Sequence, residues 1–452
     1  MVALKICVAG AGAGKTTKMA QTIIEMRNQM ASNKIIFCIT FTNNAVACIE
    51  KKLSSYYGEI PPNIKISTIH SFLYQEFIKP YYFLLYNKQY RRISTLKLPL
   101  DYGYKNMRIR QLEENCVLHQ TKIPERAKWV VSGKSKDNKA IKDNRKMILQ
   151  TFSKYCGAIC IDEAQDMDKD MATIFTELDT ADIEMQLVGD PKQDLKGNHC
   201  FKKMVESTSA PITYISECHR CPQTHLKISN LLVPVKEQQC SCKKTGHIQI
   251  SFVSDCDSYD FIFNGSFDLK YISEKQGIYD THLDDHSYSL QTWLFEEIEP
   301  AIIDNHPHAN DLSIKRAAYY YAEQLIQQYE KCQDASKAMA SVFSKEKLSK
   351  KSYATIIGTL SSNDLNDSNK LIGVSSINSI KGQEGNNCLF ILTTDVAAYL
   401  FGNKKETTAT KNRLYVALTR SLNDLTIYIL EDVENTYGRD KIEGYFKNIL
   451  GT

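Results

Sequence analysis

The run Val8-Ala9-Gly10-Ala11-Gly12-Ala13-Gly14-Lys15-Thr16-Thr17 constrains this chain more than any other segment. It follows an apolar stretch, Ala3 to Val8, and precedes a helical pattern of Met19, Ile23, Ile24 and Met30. Strand, glycine-rich turn, helix is the setting that a phosphate-binding loop requires. Glycines at 10, 12 and 14 free the backbone N–H groups to curl around a phosphate, and the helix N-terminus adds a favourable field. In such a loop Gly10, Ala11, Gly12, Ala13, Gly14, Lys15, Thr16 and Thr17 surround the phosphates. Lys15 then reaches the β and γ phosphates and the Thr16 hydroxyl ligates Mg2+. The strict pattern has Gly where Ala9 stands. Alone, the run would also suit a glycine-rich turn with an incidental lysine; the later motifs decide against that.

A chain of 452 residues is too long for one ordinary domain, so roughly two to four are expected. Its 43% hydrophobic and 24% charged content is that of a globular protein, which excludes a disordered or collagen-like chain. A net charge of +4 permits nucleic-acid binding without demanding it. Fourteen cysteines without a signal peptide point to a reducing compartment. The phosphate-loop strand begins almost at residue 1, which leaves no room for a targeting segment, and no apolar run nears the roughly 18 residues that span a bilayer. The expected location is cytoplasmic, with no membrane partner.

Strands at Leu4–Val8, Ile35–Phe41 and Ile64–Ile69 alternate with helical patterns such as Ala45, Val46, Ile49 and Leu53, which implies a parallel sheet of βαβ units. From about residue 79 to 154 the pattern turns aromatic and then charged; the segment 134–146 carries six basic residues, a solvated helix face or a phosphate-contacting surface. Strands return at Ala158–Ile161 and Met185–Val188 and complete a first α/β region near residue 210. A second follows, with strands expected at 212–215, 248–253, 355–358, 374–377, 389–393 and 425–430. The stretch 254–310, rich in Asp, Tyr and His, reads as an irregular insertion, and Ile314–Tyr329 as a helix.

The second chemical signal is Ile159-Cys160-Ile161-Asp162-Glu163-Ala164-Gln165-Asp166. An apolar strand ending in adjacent carboxylates suits a metal and water site beside a phosphate loop. Asp162 would hold the metal through water and Glu163 would orient or deprotonate the attacking water.

At this point the chain resembles superfamily 1 helicases of the UvrD/Rep/PcrA type. Thr40-Phe41-Thr42-Asn43-Asn44-Ala45, Ser67-Thr68-Ile69-His70-Ser71-Phe72 and Val188-Gly189-Asp190-Pro191-Lys192-Gln193 are similar to three of that family's segments. So are Glu217-Cys218-His219-Arg220, Ser379-Ile380-Lys381-Gly382-Gln383-Glu384 and Leu414-Tyr415-Val416-Ala417-Leu418-Thr419-Arg420, in the family's order. The resemblance implies an α/β fold of two RecA-like P-loop NTPase lobes with reduced accessory insertions. Lobe one would span 1–210 with an insertion at about 79–154, and lobe two 211–452 with an insertion at about 254–310. ATP with Mg2+ would lie between them. Lys15, Thr16, Asp162, Glu163 and Gln193 come from lobe one; Arg220 and Arg420, resembling the arginines that reach the γ-phosphate, and Glu384, resembling a ribose contact, come from lobe two. Such arginines are worth roughly 10³–10⁵ in turnover. By the same carry-over Phe41, Thr42, Asn43, His70 and Phe72 would line a track for single-stranded or forked DNA, with 3′-to-5′ polarity. Read from the residues alone, Phe41 and Phe72 suit a core at strand ends.

Several positions depart from the family pattern. No glutamine-containing segment precedes the phosphate loop, which puts selectivity for adenine in doubt. After Gln193 the chain continues Asp194-Leu195-Lys196-Gly197, without the aromatic that stacks on a base. Asn378 replaces a His and Asn44 a Lys. With short insertions, ATP hydrolysis is better supported than strong autonomous unwinding. The compact size, Ser153-Lys154-Tyr155 before the Asp-Glu strand and Asp168-Lys169-Asp170-Met171 after it are similar to the helicase-like component of Gabija anti-phage systems, which partners with a nuclease subunit. Cys218-x-x-Cys221 and Cys240-x-Cys242 invite a zinc reading, but the second spacing is too tight for a knuckle, so free thiols are expected. His282, His286, His306 and His308 read as solvated loop residues.

Overall fold

Alternating apolar strands and amphipathic helices in the first 220 residues build one wholly parallel sheet. The computed structural model describes residues 4–451 except 32, 97, 100, 182, 243–244, 282–285, 307–308, 345 and 362–371. Its six strands run in the order Ile64–Thr68, Ile35–Thr40, Cys156–Ile161, Glu184–Gly189, Leu4–Ala9, Ile212–Ile215. Leu4–Ala9 lies beside Glu184–Gly189 with Leu4 opposite Met185 and Val8 opposite Gly189. Parallel order brings the C-terminal ends of the strands to one edge, where the loops after Ala9, Ile161 and Gly189 meet. The four interior strands are buried on both faces, which is why they read as continuous apolar runs.

A second parallel sheet of five strands has the order His247–Phe252, Ser421–Ile429, Gly385–Leu392, Leu269–Ile272, Ser375–Ser376. Three sequence expectations differ here. Ile212–Ile215, expected to open the second region, instead pairs with Leu4–Ala9 as the edge strand of the first sheet, which therefore extends to residue 215. Residues 355–358, expected as a strand, lie inside the helix Lys350–Ser361, because Ile356 and Leu360 stand four apart and share one buried face. The 254–310 stretch is ordered into elements, among them Leu269–Ile272, an interior strand of the second sheet.

By contacts the chain divides into two compact units: Met1–Gln89 with Lys122–Lys275 and Val374–Thr452, which holds both large sheets, and Tyr90–Thr121 with Gln276–Gly373. The second unit is largely helical. Its core joins Leu290, Leu294, Ile298 and Ile302 of the helix His286–Asn305 to Ile314, Ala318, Ala322, Leu325 and Tyr329 of Asp311–Cys332. Steps of three and four residues mark an amphipathic helix, so a helical signal was present from Leu290 onward. His286 opens that helix rather than lying in a loop; His282 and His308 lie outside the described residues. Buried Glu297 and Glu299 pair with Arg108 and Arg92, and Glu296 accepts from Ser94 Oγ at 2.8 Å, tying the segment 90–121 to the same helix.

The basic segment 134–146 is a solvated face only in part. The helix Lys139–Tyr155 buries Arg145, which pairs with Asp137 and donates to Val130 O at 3.2 Å, while Lys134 Nζ sits 3.8 Å from the Trp129 ring centroid. Further along, fully buried Phe152 stacks on Phe37 (5.8 Å between centroids) and lies 4.9 Å from Phe77. Deleting such a ring removes apolar contact and leaves a cavity. Phe152→Ala is expected to lower stability by about 3–5 kcal/mol and Phe152→Leu by clearly less, measured by denaturant titration followed through the fluorescence of Trp129.

Candidate functional site

The phosphate-type loop takes its shape from two left-handed glycines. Gly12 and Gly14 have φ of 68° and 72°. A Cβ on Gly12 would stand 2.3 Å from Arg220 Cβ, so a side chain is excluded on both counts. The helix Lys15–Gln29 starts immediately after and has no acidic residue in its first turn, leaving its positive end open to an anion. Lys15 is buried and its Nζ donates to Ala9 O at 3.4 Å and Gly10 O at 3.3 Å.

Beside it, the strand Cys156–Ile161 delivers Asp162, fully buried, whose Oδ2 accepts from Thr16 Oγ1 at 3.0 Å. Glu163 adopts a left-handed φ of 57°, uncommon for any residue but glycine and found at functional turns. Its N–H donates to Asp162 Oδ1 at 3.0 Å and its carboxylate accepts from the Gln165 amide. Gln165 Oε1 in turn accepts from Asp190 N–H at 2.9 Å, and Asp190 Oδ2 accepts from Gln193 Nε2 at 3.0 Å. The acidic turn and the Val-Gly-Asp turn are therefore wired together.

Burial, with the Glu163 charge adding to it, pushes Asp162 up to about 7, against Lys15 and the Thr16 hydroxyl. Glu163 is pushed up by burial too, but Lys15, Lys381 and the Gln165 amide outweigh it and hold it below its ordinary range. A buried carboxylate kept near neutrality beside a hydroxyl oxygen is short of a cation. That all-oxygen pair, Thr16 and Asp162, fits Mg2+.

Across from the loop stand residues from the second half of the chain. A cavity of about 330 Å3 is lined by Gly12 to Thr17, Glu163, Gln193, His219, Arg220, Gly382, Glu384, Arg420 and Leu422. Arg420 is fully buried, and its guanidinium donates only to neutral oxygens: Val416 O at 3.0 Å, Gln383 O at 3.2 Å and Thr419 Oγ1 at 3.4 Å. Among the described residues it forms no ion pair, and burial together with the neighbouring Arg220 pulls it down to about 10. An unpaired buried guanidinium lining a cavity that also holds a phosphate-type loop calls for an anion. Arg220 and Glu384 line the same cavity but are paired with each other, Nε to Oε2 at 2.7 Å.

The expected nucleic-acid residues are not all available. Phe72 is 2% exposed, its ring centroid 5.2 Å from Phe37 and 5.7 Å from Phe77; it is core, not a stacking platform. Phe41 is half-buried and Asn43 exposed, while Thr42 caps the helix Asn43–Tyr57 by accepting from Ala45 N–H at 3.2 Å. His70 is half-buried, and burial lowers its pKa against the pull of Asp168. After Gln193 the chain makes a turn on Asp194, which accepts from Gly197 N–H at 2.9 Å and His199 N–H at 2.7 Å.

Sequence reasoning missed four participants. The Tyr415 hydroxyl accepts from Ala11 N–H at 3.1 Å and donates to Gln239 Oε1 at 3.0 Å, while Gln239 Nε2 donates to Ala11 O at 3.1 Å. Cys218 Sγ also reaches Ala11 O, at 3.2 Å, and both Cys218 and Cys221 are buried free thiols. Lys381 pairs with Asp166. Tyr415 and Lys381 lay inside motifs already noted; nothing in the sequence marks Gln239.

Comparison with known families bears directly on the loop just described: a model described as an AAA domain matches residues 2–199. The chain is also 28% identical over 285 residues to Gabija protein GajB of Bacillus cereus (strain VD045), covering 60% of this chain and 53% of that protein. A solved PRRSV helicase aligns over 95% of this chain and 52% of its own, at 10% identity and a TM-score of 0.35. The chain thus spans about half the length of each relative. The AAA and GajB matches support the UvrD-like helicase resemblance and a relationship to Gabija. Among the described residues no helix is long and apolar enough to cross a membrane.

The shifted Asp162 has a thermodynamic consequence. Its folded value of about 7 exceeds the unfolded value of about 3.9. The folded state therefore holds a proton that the unfolded state releases, and the stability this gives is lost as pH rises from about 4 to 7. In metal-free buffer Asp162→Asn is expected to melt at least about 2 °C above the parent at pH 8. The gap should shrink through pH 5 and close by about pH 4, as read by scanning calorimetry at pH 8, 5 and 4.

Proposed function

We propose that this chain hydrolyses ATP between two RecA-like lobes and that single-stranded DNA stimulates the turnover. The first lobe runs through Ile212–Ile215 and the second from there to the end of the described chain. Arg420 carries the reading: a fully buried guanidinium with no acid partner among the described residues lines the same cavity as Lys15 and Thr16. Lys15, the backbone N–H groups of Gly12 to Thr17 and the positive end of their helix bind the phosphates. Mg2+ held by Thr16, and through water by Asp162, neutralises phosphate charge when bound. Glu163, kept ionised by Lys15 and Lys381, accepts a proton from the attacking water, and Gln193 orients that water. Arg420 stabilises charge on the γ-phosphoryl group; Arg220 joins it by giving up the Glu384 carboxylate. Because the arginines and the loop lie on different lobes, turnover depends on lobe closure.

A second reading has support of its own. The related protein is a Gabija protein, and two expected aromatic contacts, one at Phe72 and one after Gln193, are lacking. On that reading the ATPase senses DNA and switches a partner nuclease, with little unwinding alone. Hydrolysis by the purified chain without DNA and with single-stranded, duplex or forked DNA, followed by strand displacement from 3′- and 5′-tailed duplexes, separates the two. Stimulation with 3′-to-5′ displacement supports the motor; stimulation without displacement supports the sensor; no turnover under any condition overturns both.

Lys15→Ala and Glu163→Ala are expected to reduce turnover at least about 100-fold and Arg420→Lys about 1000-fold or more. Glu163→Ala should keep nucleotide binding in an equilibrium assay with a fluorescent ATP analogue. Full turnover by Glu163→Ala would remove that residue from the proposed chemistry.

A further inference from the structure

The short ribbon that carries Arg220 to the cavity brings together exposed side chains with chemistry of their own. Glu217–Cys218 and Cys240–Ser241 pair in parallel, Cys240 opposite Glu217 and Ser241 opposite Cys218. One residue on, Cys242 N–H donates to Cys218 O at 3.0 Å. Side chains alternate across a strand. Cys218 is buried against the phosphate-type loop, whereas Glu217 before it, His219 after it, and Cys240 and Cys242 on the paired segment are exposed; His219 also lines the cavity beside the loop. A Cys-x-Cys spacing is wrong for a zinc knuckle. Here Cys240 opens the short strand and Cys242 follows it directly.

The distances agree with that geometry. A donor atom from each of Glu217, His219 and Cys242 lies within 4.8 Å of the other two. Glu217 Oε2 is 3.9 Å from His219 Nε2. Ligand atoms around tetrahedral zinc, with bonds of about 2.0–2.3 Å, stand roughly 3.3–3.8 Å apart. Exposed side chains on a fixed backbone need turn only slightly to close the difference. The backbone is fixed: His219 N–H donates to Gly12 O at 2.9 Å and Cys240 N–H to Ser216 O at 2.8 Å. One carboxylate, one imidazole and one thiol form a donor set for a borderline-soft cation, not for Mg2+ or Ca2+.

We propose that Glu217, His219 and Cys242 bind a zinc ion where this ribbon brings their donor atoms together. The ion would brace the two strands that present Arg220 on one side and Gln239 on the other to the phosphate-type loop. His219 also lines the nucleotide-type cavity, so zinc binding is read without nucleotide and stands or falls separately from ATP hydrolysis.

The test uses the full chain, stripped with a chelator and kept free of nucleotide. Zinc is titrated in competition with a chromogenic chelator, and cobalt(II) replaces it for absorption spectroscopy. One equivalent of zinc is expected. Cys242→Ser and His219→Ala should each weaken binding about 10-fold or more, and Cys242→Ser should abolish the thiolate-to-cobalt charge-transfer band. Cys48→Ser and Cys332→Ser, exposed elsewhere, should change nothing, and Lys15→Ala should bind zinc as the parent does. Glu217→Gln, expected to weaken binding without loss of fold, covers the case in which another variant fails to fold; metal-free melting temperatures check that. Equal zinc affinity in the parent and in Cys242→Ser, or a cobalt complex of the parent without a thiolate band, overturns the proposal.

Discussion

Two buried carboxylates, Asp162 and Asp190, with half-buried Glu163 beside them, lie at one edge of the six-stranded sheet, and the rest of the site is arranged around holding them there. Isolated charges at such depth would cost several kcal/mol each. Lys15 acts on all three, Lys192 on Asp190, and Lys381 on Glu163 from the other sheet's side of the cavity. The balance is incomplete at Asp162, whose proton affinity rises for want of a further cation. It is incomplete in the opposite sense at Arg420, a buried cation without an acid. A metal ion at one end of the cavity and phosphate oxygens at the other would satisfy both deficits together.

Much of this was legible in the sequence, for identifiable reasons. The first sheet's four interior strands are buried on both faces, so they stand out as apolar runs bounded by glycine and acidic turns. The loop after Ala9 is legible because Gly12 and Gly14 have left-handed backbones that other residues rarely adopt. Glu163 shares that conformation without being glycine, and no local rule exposes it. The strand Leu269–Ile272 was hidden because only four residues of it pair, within an Asp- and Tyr-rich stretch. Residues 355–358 misled because the short run Ala354 to Ile357 contains Thr and Ile, residues favoured in strands, while burial follows a helical step to Leu360.

Pairings between distant residues were the least legible. Gln239 and Tyr415 close a hydrogen-bonded circuit on Ala11, and Lys381 meets Asp166. Such contacts depend on how strands are ordered across each sheet, which the periodicity of any one segment does not encode. The same holds for Phe72. Its position in a motif argues for exposure, but the packing of Phe37, Phe77 and Phe152 around it puts it in the core.

The Tyr415 contact also bears on the order in which the molecule can assemble. Ala11 and its hydroxyl partner stand 404 positions apart in the chain. During synthesis the loop leaves the ribosome long before the helix Ala409–Leu418 exists. Until then the Ala11 amide must be satisfied by water or by whatever else is present, and Arg420 is not yet available to the cavity. The nucleotide-type pocket is therefore among the last features of this fold to be completed, although its signature is the first to be translated.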